Sequence, residues 1–316
     1  MSIIEKAVQR LSDLAPAPRH LAPSPLLDGE GAETVREHPQ ATGLTAAAEA
    51  GTANGQGRGK ATGALPRSVA ILGLEKDFLL SPDGGRSRTA EEFRMIKRPL
   101  LVNAFERPPE GGSFPNLIMV TSSLQAEGKT FTALNLAVSM TLEMDSTVLL
   151  IDGDVAKPGL SRRLGISDRP GLIDRLVDES LDLSTLLFET DIPKLTILPA
   201  GQRHKLSTEL LSSGNMRRFL TEMASRYTDR IVIFDSPPVL ETTEAGALAS
   251  LMGQIVLVVE HERTPQAVVR EAVSQLDRTS NLYLVLNKCK EGLFGSRYGY
   301  GYGYGYGYGY GSYGET

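Results

Sequence analysis

The chain has 316 residues, 41% hydrophobic and 22% charged, with a formal net charge of −5. A single cysteine excludes an intramolecular disulfide framework and a Cys-rich zinc site, and the four histidines make no metal-binding spacing. Mild acidity gives no global case for nucleic-acid binding. No apolar run approaches the ~18 residues that span a bilayer, and the N-terminus lacks a signal-peptide pattern, so a soluble cytoplasmic protein is expected.

Residues 1–14 read as a short amphipathic helix: Ser2 and Glu5 fit a capping box, and Ile3, Ile4, Ala7, Val8, Leu11 and Leu14 recur at helical spacing. Residues 15–66 read as a disordered linker. Half of 15–64 is Ala, Gly or Pro, and no aromatic residue precedes Phe78, so too little apolar surface is available to offset ordering entropy. Residues 67–291 have the organisation of an α/β domain. Apolar runs at 117–120, 147–151, 195–198, 230–234, 254–259 and 282–286 alternate with amphipathic stretches. This pattern predicts a mostly parallel β-sheet flanked by helices on both faces. Residues 292–316 form a low-complexity tail that holds eight of the ten tyrosines, Tyr298, Tyr300, Tyr302, Tyr304, Tyr306, Tyr308, Tyr310 and Tyr313. Glycine at nearly every second position disfavours a stable strand there.

The run Ser123, Leu124, Gln125, Ala126, Glu127, Gly128, Lys129, Thr130, followed by Phe131, lies between the strand at 117–120 and a helical pattern at 131–142. This is the setting of a P-loop, in which backbone N–H groups and a helix N-terminus surround phosphates. Lys129 would contact the β- and γ-phosphates, and the Thr130 hydroxyl would bind Mg²⁺. The loop departs from G-x-x-x-x-G-K-[ST] at Ser123, and Ala126 matters if a positive φ is needed there. Two further strands end in acids: 148–151 runs into Asp152, Gly153, Asp154, and 231–234 into Asp235. Acids there would lie at the carboxyl edge of a parallel sheet, where ligands bind. Asn287, after 284–286, is a candidate for the adenine edge.

These three motifs in this order resemble the deviant P-loop ATPases that include MinD and ParA. Within that group the chain resembles the bacterial tyrosine kinases (BY-kinases), through a Walker A, a Walker A′ of the hydrophobic-D-x-D type, a Walker B of the hydrophobic-D-x-x-P type and the tyrosine cluster. Residues 1–14, 128–132 and 152–158 resemble stand-alone autokinases of exosortase-associated exopolysaccharide clusters. Leu124 stands where MinD and ParA carry their signature lysine. The resemblance implies a P-loop NTPase fold, ATP and Mg²⁺ as cofactors, and transfer of the γ-phosphoryl group to the tail tyrosines in regulation of exopolysaccharide export.

On that implication Thr130, Asp152 and Asp235 serve the metal, and Lys129, Asp152, Asp154 and Asp235 serve the chemistry, with Asp154 receiving or orienting the phenol proton. Glu91, Arg94 and Lys97 resemble the family's E-x-x-R-x-x-R element, which is implicated in ring-like self-association. They are expected on one broad helix face, with Pro99 interrupting or bending the helix. Implied partners are further copies of the chain, a membrane-embedded chain-length determinant protein that recruits it to the inner membrane face, and a phosphotyrosine phosphatase. Each phosphate adds about −1.5 to −2 charges, so phosphorylation is expected to loosen the oligomer. The alternative function is an ATPase switch or scaffold of a polysaccharide assembly without kinase activity.

Overall fold

The computed structural model describes residues 68–74, 79, 87–105, 114–226, 229–276 and 281–290. All lie in the second of the two units into which the chain divides, 61–316. The helix expected at 1–14, the linker up to residue 66 and all eight tail tyrosines lie outside the described residues. No described helix is long and apolar enough to cross a membrane.

Eight strands form one sheet: β1 (Ser68–Val69), β2 (Leu117–Ser122), β3 (Thr147–Asp152), β4 (Phe188–Thr190), β5 (Leu195–Leu198), β6 (Arg230–Asp235), β7 (Gln254–Glu260) and β8 (Leu282–Asn287). Their spatial order is β1-β4-β5-β3-β6-β2-β7-β8. Every pairing is parallel except β4 with β5. The six strands expected from apolar runs are all present. Most extend one or two residues further at the carboxyl end, because their terminal polar groups still pair in the ladder. The two strands not anticipated, β1 and β4, are only 2 and 3 residues long.

Side chains alternate across the central strands. Leu117, Met119, Leu149, Ile151, Val232 and Phe234 face one core, and Ile118, Val120, Val148, Leu150, Ile231 and Ile233 face the other. Burial on both sides is why these strands read as continuous apolar runs. The second core is covered by α1 (Arg88–Ala104), α2 (Lys129–Thr141) and α3 (Gly159–Arg163). The first is covered by α4 (Leu172–Val177), α5 (Ser207–Leu211), α6 (Gly214–Arg226), α7 (Thr243–Ala249) and α8 (Gln266–Leu276).

Helix α1 differs from expectation in two ways. It starts at a Ser87 N-cap that accepts from Ala90 N, and it runs through Pro99 without interruption. Proline removes one N–H, and the carbonyl it orphans belongs to Met95. Both residues lie on the exposed side, where water can satisfy that carbonyl. Secondly, Lys97 does not share the open face with Glu91 and Arg94. It is 6% exposed, and its Nζ donates to Ser139 O at 2.7 Å and pairs with Glu143 at 2.7 Å. Lys97 therefore ties α1 to the carboxyl end of α2, while Glu91 and Arg94 pair with each other on the outside.

Lys97→Ala should lower stability by about 1–3 kcal/mol in urea unfolding, because a buried acceptor loses its donor. Glu91→Ala, an exposed change, should stay within about 0.5 kcal/mol.

Candidate active site

Strand β2 ends at Ser122, and the chain turns through 123–128 into α2. The turn needs two residues in the left-handed region, Ala126 (φ 64) and Gly128 (φ 102). At Gly128 a Cβ would lie 2.0 Å from Asn287 Nδ2, so only glycine fits. At Ala126 the methyl group is tolerated at a strain of roughly 1–2 kcal/mol. Gly128 provides no side-chain cap for α2, which leaves first-turn N–H groups for an anion.

The loop is braced from three sides. Glu127, 2% exposed, accepts from Leu124 N at 2.7 Å and from the Thr264 hydroxyl. Glu241 accepts from Gln125 N at 2.8 Å and from the Gln125 side-chain amide. Asn287 Nδ2 donates to Glu127 O at 2.8 Å, and Lys288 Nζ donates to Ala126 O at 2.7 Å and pairs with Glu260 at 3.0 Å. Asn287 thus sits directly beneath the loop. The Phe131 ring packs toward the core, 6.1 Å from the Phe93 ring.

Two acid-bearing strand ends meet the loop because the register aligns them. Asp152 and Asp235 are paired positions on β3 and β6, and Asp235 pairs with Val120 on β2. Lys129 Nζ lies 2.9 Å from Asp154 Oδ2 and 3.8 Å from Asp235 Oδ1. Asp152 Oδ2 accepts from Ser161 N at 2.8 Å and Ser161 Oγ at 2.7 Å, while Asp154 Oδ1 accepts from Lys157 N at 3.0 Å. Thr130 faces α3, where a Cβ on Gly159 would be 3.3 Å from its hydroxyl. Sequence reasoning missed Ser161, Glu241, Lys288 and the bracing role of Glu127. Only Lys288, adjacent to Asn287, carried a sequence cue.

Burial pushes the Asp152 carboxyl up to about 7; the neighbouring Asp235 adds to this, and the Ser161 hydrogen bonds oppose it. Burial likewise raises Asp235, against the pull of Lys129. Burial alone would lower Lys129, but Asp235, Asp154 and Asp152 outweigh it and raise it. Both Asp235 oxygens are buried without a hydrogen-bond partner, and so is the Ser123 hydroxyl. Such orphaned acceptors beside a threonine hydroxyl fit a hydrated divalent cation. Among the described residues no cluster of three or more His, Cys, Asp or Glu could hold one alone, so phosphate oxygens would have to complete its shell.

Two outcomes follow from this geometry. Ala126→Gly should be neutral or stabilising by up to about 1 kcal/mol in urea unfolding, since it relieves the left-handed strain. For Asp152, a folded pKa of about 7 against an ordinary 3.8 means that the group's stabilising contribution is complete in acid. It is lost as pH rises from about 4 through about 7. In EDTA, the melting temperature of Asp152→Asn should therefore gain on wild type between pH 5 and pH 8, by about 2–4 °C per kcal/mol.

Among curated proteins, the succinoglycan biosynthesis transport protein ExoP of Rhizobium meliloti is 35% identical over 212 residues, which is 65% of this chain and 26% of ExoP. The tyrosine-protein kinase YwqD of Bacillus subtilis is 29% identical over 191 residues, 60% of this chain and 76% of YwqD. Among solved structures, the VpsO kinase domain superposes with a TM-score of 0.52 at 28% identity, covering 65% of this chain and all of that domain. The AAA_31 model, an AAA domain, matches residues 117–284. That span is more than half of the chain and contains the loop at 123–130 together with Asp152, Asp154 and Asp235, so the chain belongs to the AAA_31 family.

Proposed function

We propose that the chain is an ATP-dependent protein-tyrosine autokinase that phosphorylates its own C-terminal tyrosines and so regulates exopolysaccharide synthesis or export. The observation that carries this reading is Lys129 at the start of α2, held between Asp154 and Asp235. Kinase-named relatives and the tyrosine-rich tail support it.

Phosphoryl transfer needs positioning and charge neutralisation more than covalent chemistry. The N–H groups of 126–131 and Lys129 receive the phosphates of ATP, while Leu124 N and Gln125 N stay bound to Glu127 and Glu241. Thr130, Asp152 and Asp235 hold Mg²⁺, which when bound neutralises charge on the phosphates. Asn287 serves the adenine edge. A phosphate on Lys129 competes with Asp154 for the ammonium, and so releases Asp154 to take a phenol proton. The phenolic oxygen of a tail tyrosine then bonds to the γ-phosphorus, the bond to the β–γ bridging oxygen breaks, and ADP leaves. A phenol has an ordinary pKa near ~10, so an adjacent carboxylate assists its attack.

Acceptors are Tyr298, Tyr300, Tyr302, Tyr304, Tyr306, Tyr308, Tyr310 and Tyr313. Transfer between copies in a ring uses the exposed Glu91–Arg94 side of α1. A membrane-embedded chain-length determinant protein recruits the kinase to the inner membrane face, and a phosphotyrosine phosphatase resets it. The domain runs from 67 to 291, behind a docking helix at 1–14 and a linker.

Incubation with ATP and Mg²⁺ followed by phosphotyrosine mapping tests the reading. Wild type should be labelled within 298–313, and Lys129→Met should lose at least about 100-fold of that labelling, as expected when a phosphate-stabilising charge is removed. ATP hydrolysis without tail labelling would instead indicate a non-kinase ATPase switch.

A further inference from the structure

The site's carboxylates are bordered by a surface of opposite sign. The chain carries a net charge of −5. Its segments 155–170 and 199–206 nevertheless contain Lys157, Arg162, Arg163, Arg169, Arg203 and Lys205 against a single acid, Asp168. All six cations are exposed.

The fold brings the two segments together. They leave β3 and β5, which are parallel neighbours with Ile151 opposite Leu198, so both emerge at the carboxyl edge. Ala200 N donates to Ser161 Oγ at 3.2 Å, and Gln202 Nε2 donates to Asp168 O at 3.1 Å. Gly171 lets α4 press against the same strip: Leu172 N donates to Pro199 O at 2.9 Å, and a Cβ on Gly171 would stand 2.1 Å from that oxygen.

Asp168 faces Arg169 at 3.7 Å. Among the described residues no acid lies within ion-pair distance of Lys157, Arg162, Arg203 or Lys205. The rim touches the chemistry through Lys157, whose backbone N–H binds Asp154.

We propose that this basic rim binds the phosphotyrosines of the modified tail, holding the product beside the site that forms it; the proposal rests on the kinase reading above. An unmodified Tyr/Gly segment is neutral and gains nothing from the rim. Each phosphate supplies nearly two negative charges and three acceptor oxygens, which match arginine forks. The chain's reach permits it. Strand β8, after which the tail follows, is four strand steps from β3 and five from β5, about 19–24 Å at ~4.8 Å per step. From Lys290, an extended chain reaches Tyr298 within about 26 Å and Tyr313 within about 76 Å. The middle and distal acceptors can therefore reach the rim of their own copy.

The test uses the full chain, stripped of phosphate by a phosphatase, and a fluorescent four-repeat Gly-Tyr peptide with its tyrosines phosphorylated or free. By anisotropy, the phosphopeptide should bind at least about tenfold more tightly than the free peptide, as charge-assisted pairs predict. The Arg203→Gln/Lys205→Gln double variant should lose most of that preference, with its thermal unfolding unchanged. Equal binding of the two peptides, or an unchanged preference in the double variant, would overturn the proposal. So would rim-dependent binding to phosphatidylglycerol vesicles without a phosphopeptide preference, which would assign the surface to lipid. Tail labelling by ATP is scored separately and does not enter the peptide measurement. Absent labelling with retained phosphopeptide binding counts against the kinase reading alone.

Discussion

The site depends on one electrostatic constraint: a single ammonium, Lys129, is asked to balance three carboxylates with almost no access to water. Asp152 and Asp235 are fully buried and Asp154 nearly so. Burying charge is costly unless it is paired, and here the pairing is incomplete by two charges when all three acids are ionised. The imbalance follows from the register of the sheet. Pairing Asp152 with Asp235 is what lines up the flanking apolar residues of β3 and β6, so the core cannot form without bringing the two acids side by side. The structure absorbs the strain through proton uptake by the acids and through Ser161, which gives Asp152 two hydrogen bonds. A divalent cation and a phosphate would relieve what remains.

The same economy governs the loop. A backbone turn built around Ala126 and Gly128 has no intrinsic preference for its shape, and Ala126 works against it. The shape is imposed by side chains from elsewhere: Glu127 from inside, Glu241 from beyond β6, and Asn287 with Lys288 from the end of β8. Each partner satisfies a backbone group that the turn leaves open. Glu127 in turn is locked to the loop after β7 through Thr264. A contact made at the end of β8, where Asn287 and Lys288 lie, is therefore passed to the loop at 123–128 through two backbone carbonyls.

Much of this was legible in the sequence, and the reasons are specific. Strands buried on both faces produce continuous apolar runs, which makes the central strands legible; the edge strand β8, with Leu284 and Leu286 half exposed, shows the same apolar composition without that burial. Their ends were placed early because Ser122, Asp152, Asp235 and Asn287 look like loop residues while still pairing as strand. Strands β1 and β4 are too short to leave a periodic trace. The i, i+3, i+6 spacing of Glu91, Arg94 and Lys97 describes a face but not its partner. A 20°-per-residue drift over six positions, since two turns take 7.2 residues, is enough to turn Lys97 inward where α2 waits. Ser161 and Glu241 left no signal because their importance lies in hydrogen bonds to positions 9 and 116 residues away.

The two signs of charge at the carboxyl edge acquire a common logic when set beside the acceptor. A tyrosine enters neutral, and neither the carboxylates nor the basic rim acts strongly on it. On the proposed function, transfer would make that side chain an anion next to Asp152, Asp154 and Asp235, where repulsion among like charges in a poorly solvated site is severe. Lys157, whose N–H binds Asp154, begins the adjoining cluster of cations, so the path that lowers the energy of the product leads outward along 157–163 and 199–205. On the proposed function, a site with an excess of carboxylates disfavours its own phosphorylated product, and the neighbouring cations lie where that product would be better accommodated.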